Sequence, residues 1–371
     1  MEKGVGRNSR VELLRIMSMV MIVAHHYALF GFLSEELAFS RNKLFVDIFG
    51  MWAHVGVDLF VLISGYYMVS GRFRLKKLLV FMGSVWFYSL GIPLAFRLAG
   101  VPIGLAQLRS AALPLLTSQY WFASYYALLL LFSPFLNAGI RALDRRGHAL
   151  LCLLLLVLVT LLPAFPHITF AGGILPLFVM LYLCGAWCRL YVPAADRTAR
   201  RCLLLGLGLC LLCVLRVVFV DVRAARLGDL QALESSVGFL QKSGPLTVAV
   251  SAALLLAGTC GRAGHNRGIV RLGGLCFGVY LFHANPYLSS VVWQRVFHTA
   301  GMVDSPWLFV HALGTVGALF AAGCAVERLR QLTAARLWEK LVDALLPPLE
   351  RLLAAAWQRF SRLTGSLLGL R

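Results

Sequence analysis

Apolar runs of about 20 residues, the length that a helix needs to cross the ~30 Å hydrocarbon core of a bilayer, recur along this whole chain. Of the 371 residues, 60% are hydrophobic and only 14% are charged. A soluble domain of ordinary composition carries about 25% charged residues. The sequence therefore predicts an all-α integral membrane protein that crosses the bilayer many times.

The apolar runs predict about ten transmembrane helices. Their predicted ranges are 12–33, 46–70, 78–98, 121–139, 149–165, 172–191, 201–220, 243–260, 271–293 and 306–326. The first run continues through His25 and His26 without a small-residue cleavage site. This favours a retained span over a cleaved signal peptide.

Positive charge alternates between the connections that join these runs. Lysine and arginine precede the first run and recur in every second connection, whereas the other connections are poor in net positive charge. By the positive-inside rule, we expect both termini to be cytoplasmic. The formal net charge of +19 falls between the apolar runs. We therefore expect membrane lipid, rather than nucleic acid, to be its partner.

The chain changes character after residue 326. This tail is basic and amphipathic, and Pro347–Pro348 interrupts it. The pattern predicts two helices that lie on the inner membrane surface. The nine cysteines all lie within or at the ends of apolar runs. They predict helix packing rather than a disulfide framework, and we predict no metal site.

Two costly side chains in the first run lie on one helix face. Arg15 and His26 are eleven residues apart, which places them within about 20° of each other and roughly 16 Å apart along a helix. His25 is turned about 80° from that face, and Glu12 can pair with Arg15. A titratable group inside hydrocarbon must be paired, hydrated or used. We therefore predict that Arg15 and His26 are functional, although a snorkelling arginine and an interfacial histidine pair would also explain them.

The second run contains Asp58, which should face the protein interior and have a cationic or imidazole partner. A carboxylate beside a histidine fixes its tautomer and raises its basicity, as a general base requires. We therefore expect Asp58 to orient or charge-balance His26. A buried structural ion pair is the alternative.

Several other polar and aromatic residues mark candidate binding surfaces. The basic residues that follow the second run have two interpretations: a positively charged flank of the membrane span, or a contact surface for a phosphorylated ligand. Aromatic residues opening the fourth run form an interfacial belt, or they form a wall for a sugar ring. A proline in the ninth run kinks the helix where it lines a cavity. The candidate donor- or acceptor-binding residues are Ser64, Arg72, Arg74, Lys76, Trp121, Tyr125, His283 and Asn285. Six other histidines are given no catalytic role: His54, His298 and His311 near span ends, and His148, His167 and His265 in loops.

Five segments of the chain, in order, resemble the acyltransferase 3 family of integral-membrane acyltransferases. The resemblance covers roughly residues 7–330. RIMSMVMIVAHH matches the family's Arg-x10-His motif at Arg15 and His26. The other segments are GVDLFVLISGY, YWFASYYALLLLFSPFLN, LPLFVMLYLCGAW and FGVYLFHANP. Many relatives carry Asp where this chain has Ala284, so the role of the polar pair in the ninth run is open.

The resemblance implies a transmembrane domain over residues 1–330, followed by a cytoplasmic tail over 331–371. It implies transfer of an acyl group, usually acetyl, from cytoplasmic acyl-CoA to a hydroxyl of a cell-envelope glycan or related acceptor. His26 would be the general base, and Arg15 would bind the coenzyme A end or stabilise charge. Acetyl-CoA would be a substrate, with no bound cofactor, and the expected location is the bacterial inner membrane. A secondary transporter or flippase is the alternative, although no internal repeat is evident.

Overall fold

The computed structural model describes residues 8–32, 39–165, 168, 173–240 and 243–368. The α-helices are α1 (Ser9–Gly31), α2 (Arg41–Gly50), α3 (Ala53–Met68), α4 (Leu75–Leu98), α5 (Leu105–Ala112), α6 (Trp121–Ala142), α7 (Arg145–Leu156), α8 (Ile174–Tyr191), α9 (Asp196–Leu227), α10 (Leu230–Glu234), α11 (Pro245–Thr259), α12 (Arg267–Gly273), α13 (Cys276–His283), α14 (Pro286–Ser290), α15 (Leu308–Leu332) and α16 (Ala334–Leu368). Short π- or 3-10-helical turns cover Val157–Leu161, Leu162–Ala164, Gly238–Leu240, Val291–Val296 and Thr299–Met302.

Within the described residues, nine helical segments are long and apolar enough to cross a membrane. They consist of α1, α2–α3, α4, α6, α7 with its following turns, α8, α9, α10–α11 and α15. These segments correspond to nine of the ten predicted spans. The all-α, multi-span membrane fold predicted from the sequence is therefore confirmed.

The predicted span 271–293 is not a single helix. It is divided into α12, α13, α14 and a π-helical turn, with one break at Ala284–Asn285. Pro286 occupies the first turn of α14, and the Asn285 side chain accepts a hydrogen bond from the backbone N–H of Tyr287. Proline disfavours continuation of the preceding helix, because it lacks a backbone N–H and clashes with the preceding turn. Irregular backbone is tolerated at membrane depth only where protein buries it or where it lines a cavity.

Helix α3 lies at the centre of the bundle and packs against α1, α8 and α11. A Cβ atom at Gly65 would overlap the backbone of Tyr182, and one at Gly185 would overlap the carbonyl of Leu62. Small residues let membrane helices approach closely, and this packing replaces the hydrophobic driving force that lipid cannot supply. Gly65 and Gly185 therefore set the separation of α3 and α8.

Two buried charge clusters tie distant helices together. In the first, Arg330 donates from Nε and one Nη atom to the carboxylate of Glu327, and both hydrogen bonds are 2.8 Å long. The hydroxyl of Tyr88 on α4 also donates to this carboxylate. In the second, Lys43 on α2 contacts Asp47 and lies 3.7 Å from Asp221 on α9. These pairs satisfy charges that would be costly to bury alone.

The tail forms one helix, α16, rather than the two that were predicted. Both Pro347 and Pro348 are exposed, so water can satisfy the two carbonyl groups that lose their N–H partners. Ahead of the prolines, the indole of Trp338 donates to the Leu79 carbonyl of α4, at 2.9 Å. The tail helix therefore begins against the membrane bundle.

Replacing Gly65 with Ala should destabilise the fold by about 1–3 kcal/mol, because the added methyl group overpacks the contact between α3 and α8. Gly208→Ala in α9 is the matched control, since no atom lies within 4 Å of its Cβ position. The control should be neutral or slightly stabilising, because alanine favours helix by up to ~1 kcal/mol. Thermal unfolding of the purified proteins in one detergent checks this. Equal stability of both variants would contradict the close-contact role of Gly65.

Candidate active site

Helix α1 carries Arg15 near one end and His26 toward the other. Arg15 donates to the carboxylate of Glu12 at 2.8 Å, so the pairing expected from the sequence is confirmed. Its guanidinium carbon also lies 5.9 Å from the centre of the Tyr67 ring. The His26 ring has the rings of His283 and Phe30 beside it, at centroid distances of 4.9 and 5.0 Å.

His26 lies where two cavities meet. We call the first, with a volume of 330 Å³, the apolar chamber; it is lined by Met19, Ile22, His25, His26, Leu29, Phe30, Ala53, His54, Val57, Phe60, Trp121, Phe122, Phe277 and Tyr280. We call the second, of 510 Å³, the polar chamber; it is lined by His26, Phe30, Gln119, Trp121, Tyr280, Ala284, Pro286, Ser289, Ser290, Trp293 and Gln294. A ligand in either chamber can therefore reach the same imidazole.

A third cavity, of 340 Å³, lies at the Arg15 end of the bundle. We call it the arginine cavity; its lining includes Tyr67, Arg72, Arg74, Lys77, Phe81, Tyr126, Ser133 and Asn137. The Tyr67 ring links it to Arg15, because Tyr67 lines the cavity and lies beside the Arg15 guanidinium. Three cations therefore lie in one cavity wall, and such side chains suit a strongly anionic ligand.

Two stacked aromatic pairs separate the arginine cavity from the apolar chamber. Phe81 of the arginine cavity stacks on Phe277 of the apolar chamber, with ring centroids 5.0 Å apart. Tyr126 of the arginine cavity stacks on Phe122 of the apolar chamber at 5.7 Å. Side chains alone therefore separate the cation-lined cavity from the space around His26.

His283 is the nearest titratable neighbour of His26. Its Nδ1 lies 2.6 Å from the carbonyl oxygen of Val279, so Nδ1 carries the proton and Nε2 is left as an acceptor. Within the described part of the chain, Nε2 of His283 and Nδ1 of His26 are both buried without a hydrogen-bond partner. The break after α13 places this histidine, because it ends the helix at His283.

Asp58 does not contact His26, contrary to the expectation from the sequence. Both of its carboxylate oxygens are buried, and neither has a hydrogen-bond partner among the residues that the structure describes. The neighbouring Val57 lines the apolar chamber. Asp58 itself is not among the residues that line this chamber.

Some predicted binding residues do line cavities, and others do not. Trp121 lines both chambers at His26, and Arg72 and Arg74 line the arginine cavity. Lys76 instead pairs with Asp343 of α16 at 2.6 Å. Its neighbour Lys77 takes the predicted place in the arginine cavity, because adjacent residues of α4 face different directions.

The three remaining predicted residues, Ser64, Tyr125 and Asn285, line none of these three cavities. Ser64 donates to the Phe60 carbonyl and lies 3.1 Å from the hydroxyl of Tyr126, a residue of the arginine cavity. Tyr125 packs its ring against that of Phe178 instead of lining either chamber. Asn285 is fully buried, and its Nδ2 donates to the Tyr88 carbonyl and the Tyr120 hydroxyl.

Sequence reasoning missed two histidines of this site. His25 and His54 both line the apolar chamber, and their ring centroids are 6.0 Å apart. His25 also lies 2.8 Å from the Gly50 carbonyl through Nδ1. The sequence could have indicated them, because histidines of adjacent spans fall at similar membrane depth. A projection of one helix alone does not show this.

The three histidines that were predicted to lie in loops have different positions in the structure. His148 is not in a loop: it lies in the first turn of α7, fully buried, with Nε2 3.1 Å from the Leu183 carbonyl. Asp144 caps this helix and so extends it past the predicted start. His265 does lie in a loop, and His167 falls outside the described residues.

The bundle and its chambers define a multi-span membrane protein in which one half-buried histidine, His26, lines two neighbouring cavities. The sequence profile of the acyltransferase 3 family, described as an acyltransferase domain, matches residues 8–326. The chain therefore belongs to this family of membrane acyltransferases, and the resemblance noted above is confirmed. No curated protein and no solved structure matches the chain.

Proposed function

We propose that the protein transfers an acyl group from acyl-CoA to a hydroxyl of a glycan or a related cell-envelope acceptor. The observation that carries this proposal is the position of His26. Its imidazole is shared by a chamber that adjoins the arginine cavity and by a separate polar chamber. A donor and an acceptor arriving from different directions would meet at this side chain.

The arginine cavity is the proposed site for the phosphate groups of coenzyme A. Arg72, Arg74 and Lys77 offer charge-assisted hydrogen bonds, which suit phosphate oxygens. Arg15 is at the same end of α1 and would add positive charge, or it would stabilise the departing group. The ~16 Å rise from Arg15 to His26 along α1 suits a long donor arm that enters between the two aromatic pairs.

His26 is the proposed general base. It would take the proton of the attacking hydroxyl as the hydroxyl oxygen bonds to the thioester carbonyl carbon. Collapse of the tetrahedral intermediate would break the carbon–sulfur bond. The proton on His26 would then pass to the departing thiolate, which leaves an ester and coenzyme A thiol. No proton is gained or lost overall, so the base returns to its starting state.

His283 is the proposed positioning residue for that base, in the place first expected for Asp58. Its Nε2 is an acceptor beside the His26 ring, and a small rotation would let His26 Nδ1 donate to it. Such a hydrogen bond would hold the proton on Nδ1 of His26 and leave Nε2 free as the base. Proton exchange with the hydroxyl needs this tautomer.

The polar chamber is the proposed acceptor site. Trp121 and Tyr280 give aromatic surface, while Gln119 and Gln294 provide amide groups. Aromatic rings with a few polar side chains suit a sugar, which has apolar faces and hydroxyl edges. O-acetylation of a glycan, as the resemblance implies, is one reaction that fits this arrangement.

We also propose that both termini are cytoplasmic and that the protein lies in a bacterial inner membrane. The charge-rich connections support this orientation. The end of α1 that carries Arg15 lies close to several of them, since Arg10 reaches the Arg262 carbonyl and the Arg262 backbone N–H reaches Asp196. The arginine cavity would then open toward cytoplasmic acyl-CoA.

Replacing His26 with Ala should lower acyl transfer by at least about 100-fold, since a general base contributes 10²–10⁴-fold. The measurement is release of coenzyme A thiol from acetyl-CoA by protein in nanodiscs, with a crude envelope-glycan extract as the acceptor. His265→Ala, an exposed loop change, is the control and should keep the wild-type rate. A folded His26→Ala protein with full activity would remove His26 from the base role.

Two adjacent lysines give a matched test of the donor site. Lys77→Met should raise the KM for acyl-CoA about tenfold or more, because it removes a charge-assisted bond of roughly 1.5–3 kcal/mol. Lys76→Met should change the KM less than about threefold, because Lys76 pairs with Asp343 at an exposed site. Initial rates at varied donor concentration measure both. Equal effects of the two changes would argue against the arginine cavity.

His283→Phe keeps an aromatic ring beside His26 but removes the acceptor nitrogen. We expect kcat to fall about 10–100-fold with little change in the KM for either substrate, because His283 acts through His26. Steady-state kinetics in nanodiscs check this, and His311→Phe is the comparison for general loss of a half-buried, hydrogen-bonded histidine. A rise in KM with kcat intact would instead make His283 a substrate-binding residue.

A further inference from the structure

The apolar chamber has a side branch that the proposed reaction does not use. A cavity of 390 Å³ shares His25, Leu29 and His54 with the apolar chamber. We call it the side cavity. Beyond the two histidines, most of its wall is apolar and includes Phe32, Val46, Met51 and Leu240. It therefore adjoins the apolar chamber, and it shares no lining residue with the arginine cavity or the polar chamber.

The arrangement of the cavities around His26 leaves the side cavity for the acyl chain of the donor. This assignment rests on the proposed function. The donor arm would arrive from the aromatic pairs Phe81–Phe277 and Phe122–Tyr126. The acceptor would occupy the polar chamber. The acyl chain, which leaves the reacting carbonyl in a third direction, would then pass between His25 and His54.

The volume of the side cavity limits the length of the acyl chain that it can hold. An apolar cavity of about 150 Å³ holds a six-carbon benzene molecule, and the side cavity alone has a volume of 390 Å³. An acetyl group adds one carbon beyond the reacting carbonyl and would leave this apolar space unfilled. A longer chain would fill it, and each methylene moved from water contributes about 0.8 kcal/mol.

The charge in the wall of the side cavity limits which kind of acyl chain fits. Asp47 also lines the side cavity. The Asp47 carboxylate already accepts hydrogen bonds from Lys43 and from Ser236 Oγ, and the Lys43 ammonium is shared with Asp221. A second carboxylate, as on a succinyl group, would face the carboxylate of Asp47, and among the described residues of this cluster the one ammonium, on Lys43, is already paired. A neutral alkyl chain avoids this repulsion.

We propose that the acyl group of this transferase is a neutral alkyl chain of about six to ten carbons, which lies in the side cavity between His25 and His54. The transfer step is the one described above. The ester forms at the same carbonyl carbon, the same carbon–sulfur bond breaks, and the alkyl chain takes no part in bond making. The side cavity thus determines donor specificity.

The test measures donor binding, so that it needs no acceptor. Protein in nanodiscs is titrated with coenzyme A, acetyl-CoA, succinyl-CoA and octanoyl-CoA against radiolabelled coenzyme A, with protein-free nanodiscs as the partitioning control. Octanoyl-CoA should bind at least about 30-fold more tightly than acetyl-CoA, since six more methylenes at up to fourfold each are buried. Succinyl-CoA should bind no better than acetyl-CoA.

Val46→Phe fills the side cavity at a position remote from His26, and it should reduce the ratio of octanoyl-CoA to acetyl-CoA affinity at least about tenfold. Val310→Phe is the matched control, because Val310 is 57% exposed on α15, and it should keep the ratio. Thermal unfolding of both variants checks that each is folded. The chain-length series in the wild-type protein decides the proposal even where Val46→Phe does not fold.

The outcomes separate the two levels of the proposal. If coenzyme A binds but octanoyl-CoA binds no more tightly than acetyl-CoA, the side cavity does not hold the acyl chain and the proposed function stands. Tightest binding of succinyl-CoA, or an unchanged ratio in a folded Val46→Phe protein, also overturns the inference. If neither coenzyme A nor any of its thioesters binds, the proposed donor fails, and the inference fails with it.

Discussion

The site depends on how the ninth apolar run is broken inside the membrane. In hydrocarbon, every backbone polar group needs a protein partner, and the break at Ala284–Asn285 exposes several such groups. The Asn285 side chain accepts from one of them, the N–H of Tyr287, and its Nδ2 donates to the Tyr88 carbonyl and the Tyr120 hydroxyl. The hydroxyl of Tyr120 in turn donates to the carbonyl of Leu281 at 2.9 Å. This network ties the broken run to α4 and to the start of α6.

The break also determines what stands beside His26. Because α13 ends at His283, the last imidazole of that helix lies against the ring of His26. Because α14 restarts at Pro286, its first turns form a wall of the polar chamber. An unbroken helix would place one continuous apolar surface there instead. The position of the break therefore determines the surroundings of His26.

Charged pairs and a histidine cluster are both present inside the bundle. Arg15 with Glu12, Arg330 with Glu327, and the Lys43 cluster are paired and hold helices or turns together. The rings of His25 and His283 lie beside that of His26, and the ring of His54 lies beside that of His25. Histidines that share a cavity wall can exchange protons with a ligand there, and His25, His26 and His54 all line the apolar chamber. This shared lining supports the histidine cluster, rather than the ion pairs, as the proposed centre of the chemistry.

By itself, the sequence determined the class of fold, nine of the spans, the pairing of Glu12 with Arg15, and the shared face of Arg15 and His26. These features depend on hydrophobic length and on helical repeat, which act within one segment. The tertiary structure alone decided that His283 rather than Asp58 neighbours His26, and that Lys77 rather than Lys76 lines the arginine cavity. It also decided that His25 and His54 line the chamber. The physical reason is that a side chain's partner depends on how neighbouring helices are rotated and how closely they approach, and no single helical repeat encodes either.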